Sequence, residues 1–137
     1  MHREVLFHSL EGREMELITL SSFKKITNQR EPGFSEEALL PNNKVPRPFL
    51  FKNKPVIFLT SRVHPGETPA SYVLNGILNF LTGKKGTQCI QGKTLMDEFV
   101  FKIIPMLNPD GVYRGYYRFD CKAQNLNRHY TNPGPKY

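Results

Sequence analysis

The chain has 137 residues, of which 39% are hydrophobic and 12% aromatic. That supplies one domain core and excludes a disordered tail, a collagen-like chain or a low-complexity array. Nineteen basic against 12 acidic residues give a net charge of +7, which favours an acidic partner: nucleic acid, an anionic membrane face or a glutamate-rich protein. No run of about 18 apolar residues is present to cross a membrane. The opening segment lacks a signal-peptide core, so secretion is not expected. Cys89 and Cys121 are too few for a disulfide framework and are expected as free thiols.

In chain order, residues 5–10 and 15–20 predict two short strands joined by a turn at Glu11-Gly12. Residues 21–53 have no sustained period and contain Pro32, Pro41, Pro46 and Pro48, which predicts one long loop. Residues 55–60 form a nearly continuous apolar run, expected as a buried strand. A helical stripe then falls at positions 70, 73, 74, 77, 78 and 81, with Thr68 as N-cap, Pro69 at the first helical position and Gly83 just past the end. Residues 84–94 look turn-like, and residues 99–106 form a second buried strand. From Asn108 onward turns are expected. Strand, short loop and capped helix together predict an α/β fold with a mixed, mostly parallel sheet flanked by helices.

The loop after the first buried strand carries His64 and Glu67 on either side of Pro65-Gly66. An imidazole and a carboxylate at that spacing suit half of a zinc site, because catalytic zinc takes three protein ligands and a water. Open α/β sheets place sites beyond the carboxyl ends of their strands, where this loop falls. The same residues also suit a solvated turn with Glu67 favoured by the helix dipole. A second cluster follows the second buried strand: Asn108-Pro109-Asp110-Gly111, Arg114, Arg118 and Asn125-Leu126-Asn127-Arg128. A guanidinium beside an amide suits a terminal carboxylate, and a second arginine near a metal suits an oxyanion. Singly, each arginine also reads as a surface charge and Asn-Pro-Asp-Gly as a type I turn.

Taken together, His64-Pro65-Gly66-Glu67, Asn108-Pro109-Asp110-Gly111, Arg118 and Asn127-Arg128 resemble the zinc metallocarboxypeptidases, and within them the cytosolic carboxypeptidases. The resemblance covers nearly the whole chain and is strongest over residues 54–130. It implies His64 and Glu67 as the first two ligands of a Zn2+ cofactor, Arg118 as the catalytic arginine at the scissile carbonyl, and Asn127 and Arg128 as the pair holding the substrate's C-terminal carboxylate. Asn125 stands where many relatives have an aspartate that supports the first ligand histidine. The implied activity is removal of glutamate from polyglutamylated proteins such as tubulin, in the cytoplasm and on or near microtubules, with neither membrane nor nucleic acid as partner. The family's third ligand and general base lie further downstream than Tyr137. The chain is therefore expected to be the N-terminal part of a catalytic domain, inactive by itself.

Two rival readings stand beside this one. An aspartoacylase-type zinc amidohydrolase resembles the same His-x-x-Glu loop and Asn-Arg pair, and a non-catalytic module could bind microtubules or nucleic acid. His2, His8 and His129 read as structural or exposed, and Tyr113, Tyr116 and Tyr117 as packing residues. Lys84, Lys85, Lys93 and Lys122 read as a solvated face, and Cys121 as a thiol without a base.

Overall fold

A computed structural model describes residues 1–33, 46–83 and 89–131. Strands β1 (His2–His8) and β2 (Glu14–Leu20) form the expected hairpin. Its turn closes through the Ser9 N–H donating to Arg13 O at 2.8 Å and the Gly12 N–H donating to Ser9 O at 2.9 Å. The segment expected as one loop contains two short strands, β3 (Ile26–Arg30) and β4 (Phe49–Phe51), paired antiparallel as a separate small sheet. The prolines at 32, 46 and 48 flank these strands rather than abolishing them, while Pro41 lies outside the described residues.

Strand β5 (Val56–Thr60), helix α1 (Pro69–Thr82), helix α2 (Ile90–Glu98) and strand β6 (Val100–Ile104) follow. The main sheet runs β1-β2-β6-β5. It is mixed as expected. Only β5 and β6 are parallel among the described strands, since β1 and β2 are joined by a tight turn and β2 lies antiparallel to β6. A parallel pair needs a crossover, which α1 and α2 provide. Residues 84–94, expected as turn, contain the first half of α2. Cys89 caps it, its Sγ accepting from the Gly92 N–H at 3.3 Å. Residues 84–88 lie outside the described residues.

Register puts Ile18 opposite Ile103, Leu20 opposite Phe101, and Ile57 and Leu59 beside Phe101 and Ile103. With Leu74 and Leu81 of α1 and Met96 of α2, these residues form the larger core. Of the predicted stripe only Val73 points outward. Thr68 occupies the N-cap position but has helical backbone angles and makes no side-chain cap, whereas Pro69 and Gly83 sit as expected. β6 is buried on both faces. β5 is not: Val56 and Phe58 are 59% and 60% exposed, because β5 is an edge strand and its second face is uncovered among the described residues. The second face of the sheet holds a smaller cluster, Leu6, Met15, Leu17 and Ile104. Beside it an ionic chain links Glu4, Arg47, Glu31 and Lys102, with each N–O separation 2.6 Å.

Candidate functional site

β5 and β6 end side by side, and hydrogen bonding continues into the loops beyond them. The Leu107 N–H donates to Ser61 O at 2.9 Å and the Asn108 N–H to Arg62 O at 3.1 Å. Asn108 is almost fully buried, and the segment expected as turn begins instead with a short helix, α3 (Pro109–Tyr113). Asn108 caps it, accepting from the Gly111 N–H at 2.9 Å, while its Nδ2 donates to Val63 O at 3.4 Å and Phe119 O at 3.3 Å. One amide thus joins the loop of His64 to the segment before Asn125. An asparagine followed by proline, with glycine two residues later, carries the N-cap and first-position signature as well as that of a turn.

Two glycines allow the loops to meet. The Gly66 N–H donates to Tyr117 O at 2.8 Å, and a Cβ at position 66 would stand 2.8 Å from that oxygen. A Cβ at Gly111 would stand 2.5 Å from Pro65 Cγ. Both contacts are far below van der Waals separation, so each position requires glycine for close approach.

His64 is buried at the centre of this junction. Its Nδ1 lies 2.8 Å from Glu67 Oε1, and its Nε2 lies 3.0 Å from Asn125 Oδ1. Asn125 Oδ1 also accepts from the Asn127 N–H at 3.2 Å, so it is an acceptor on both sides. His64 Nε2 must therefore carry the proton. Nδ1 then faces a carboxylate oxygen at hydrogen-bond distance, a contact that a proton on Nδ1 or a cation shared by the two groups would satisfy. Two ligands at about 2.1 Å from a tetrahedral zinc stand about 3.4 Å apart. The pair stands closer than that at 2.8 Å and would have to open slightly, and the Glu67 side chain is half-exposed. These donors fit zinc as two of its ligands. Among the described residues no group of three or more His, Cys, Asp or Glu side chains converges as a complete metal site.

Arg118 follows Tyr117, whose backbone rests on Gly66, so its chain position adjoins the His64 loop. Asn127 and Arg128 form a 3-10 turn capped by Asn125, the residue that holds His64. The structure therefore gathers the chain segments of every candidate residue around His64. Asn127 and Arg128 are exposed, and Arg128 Nη1 donates to Asn127 O at 3.0 Å. His129 closes the turn through its N–H to Leu126 O at 3.1 Å. Cys121 is free, and burial followed by the nearby Asp110 pushes its thiol pKa up, which opposes a nucleophilic role.

Sequence reasoning assigned no anchoring role to Asp110. It is buried, and accepts from Ser9 Oγ at 2.5 Å, Arg13 Nη1 at 2.7 Å and the Glu11 N–H at 3.2 Å. Burial pushes its carboxyl up, but these donors outweigh that and hold it below the ordinary carboxylate value. The Asp-Gly pair masked this role by reading as turn chemistry.

The family model for zinc carboxypeptidases matches residues 1–134. The chain is 50% identical over 134 residues to cytosolic carboxypeptidase-like protein 5 of Danio rerio, covering 98% of this chain and 15% of that protein. It is 49% identical over 132 residues to the protein of the same name in Homo sapiens, covering 96% of this chain and 14% of the relative. A crystal structure of a metallo-carboxypeptidase from Burkholderia cenocepacia superposes with a TM-score of 0.70 at 27% identity, over 96% of this chain and 28% of that one. The chain thus spans about a seventh of the curated relatives it matches, and it belongs to the zinc carboxypeptidase family.

Proposed function

We propose that His64 and Glu67 are two protein ligands of a catalytic zinc ion in an enzyme that removes glutamate from polyglutamylated proteins such as tubulin. The observation that carries this reading is His64 Nδ1 turned toward Glu67 Oε1 at 2.8 Å while Nε2 lies against Asn125 Oδ1 at 3.0 Å. When bound, zinc lowers the pKa of its water to about 7 and polarises the scissile carbonyl. Asn125 fixes the imidazole tautomer and ring orientation. Arg118 donates to the carbonyl oxygen as it gains negative charge, and Asn127 with Arg128 holds the C-terminal carboxylate. Arg128 is exposed and Arg118 half-buried, beside the loop of His64, which supports a role for both toward an anionic group. The net charge of +7 favours a glutamate-rich chain. The names of the relatives support a cytoplasmic setting.

The test uses the longest natural form of the chain. Glutamate release from a polyglutamylated tubulin-tail peptide is expected, and should be abolished by His64→Ala. Hydrolysis of acetyl-aspartate with no release from the peptide would replace this reading with the amidohydrolase one.

A further inference from the structure

We propose that Arg62 is a positioning residue that sets the separation of His64 and Glu67. The inference rests on reading those two residues as metal ligands. Arg62 has φ of 56°, in the left-handed region that a non-glycine residue enters only against a steric penalty. Glycine would fit this backbone without strain, and the arginine that stands there makes three side-chain hydrogen bonds.

The guanidinium folds back over the loop. Nη2 and Nε both donate to Pro65 O, at 2.6 and 3.2 Å, and Nη1 donates to Ser71 Oγ at 2.8 Å. Pro65 is buried, and among the described residues Arg62 is the one donor to its carbonyl. At its other end Arg62 is fixed through its own carbonyl, which accepts from the Asn108 N–H at 3.1 Å. One side chain therefore runs from the end of β5, over the peptide between His64 and Glu67, to the first turn of α1. Clamping the Pro65 carbonyl limits how far the imidazole and carboxylate can separate or twist. The planar fork of arginine makes the two contacts through separate nitrogens in a fixed geometry, which the single nitrogen of lysine does not reproduce.

The sign of the effect separates positioning from electrostatics. A guanidinium charge near a metal opposes cation binding, so losing the charge alone would tighten zinc. Losing the clamp would loosen it, on the scale of 10–100-fold seen when groups supporting metal ligands are removed. Zinc affinity is measured by competition with a chromophoric chelator, on the longest natural form of the chain, for the parent, Arg62→Gly, Arg62→Lys and His64→Ala.

Arg62→Gly is expected to bind zinc about tenfold more weakly with little change in Tm, because the backbone strain is relieved. Arg62→Lys is expected not to restore the affinity. Affinity that rises, that stays within about threefold of the parent, or that falls only in step with Tm would overturn the inference. So would full recovery by lysine. Undiminished zinc binding in His64→Ala would instead overturn the metal reading, and the clamp with it.

Discussion

On the proposed zinc reading, Asn125 sets how strongly His64 holds the ion, since its Oδ1 lies 3.0 Å from Nε2 and brings no charge. An aspartate in its place would make the imidazole more basic and tighten zinc. Asn125→Asp should raise zinc affinity several-fold, and Asn125→Leu should lower it about tenfold, both read by chelator competition. On the proposed roles the two arginines should separate kinetically. Arg128→Ala removes binding shared by ground and transition states and should raise KM with kcat little changed. Arg118→Ala removes a donor to developing charge and should lower kcat by about 10²–10³. Equal effects on KM in both variants would refute the division of roles. The pairing of His64 with Glu67 was legible in the sequence only with the second cluster and the family resemblance beside it, since the same residue types at that spacing also suit a solvated turn. The roles of Arg62 and Asp110 were not, since one depends on a backbone angle and the other on a strand hairpin about a hundred residues away.

At the scale of elements, the site rests on α3 and on its attachment to the β1–β2 turn. Asp110 binds Ser9 and Arg13, and Glu11 binds both Arg13 and Arg114. The guanidinium of Arg13 also lies 3.8 Å over the Tyr113 ring. Asp110→Asn should cost about 2 kcal/mol of stability at neutral pH, the scale of hydrogen bonds to a charged group. The folded state holds this carboxyl below its ordinary pKa, so on acidification the unfolded chain takes up the proton first. The contribution is therefore complete above about pH 4 and disappears as pH falls through the lower folded value. Urea titrations should show parent and variant diverging at neutral pH and converging in acid, and a gap that persists in acid would contradict the linkage. The elements that sequence reading missed are short or poor in apolar residues. β3 and the first turn of α2 carry few apolar residues, β4 is apolar but only three residues long, and α3 is barely longer than one turn. None gives a hydrophobic period, and each is held by pairing, capping or packing against distant residues.

Across the whole molecule, the α/β plan was legible because β5, α1 and β6 carry strong apolar patterns, while the apolar run at 56–60 concealed that one face of β5 is uncovered. Val56 and Phe58 lie open on that face. Tyr72, Val73 and Phe80 are exposed on α1. β5 is an edge strand in the described sheet, with unpaired backbone groups beside exposed aromatic and β-branched side chains. Such an edge is a template for pairing with another chain. Residues 1–137 expressed alone should therefore self-associate at micromolar concentration and bind a hydrophobic dye. Phe58→Lys places a charge on the open face without touching Ile57 or Leu59, which pack in the core. That variant should remain monomeric by size-exclusion chromatography with an unchanged circular dichroism spectrum. Neither form should bind zinc tightly or release glutamate, because the described residues supply two donors where a catalytic site uses three. A monodisperse parent would show that the β5 edge is protected, and tight one-to-one zinc binding would show that a third donor lies within these 137 residues.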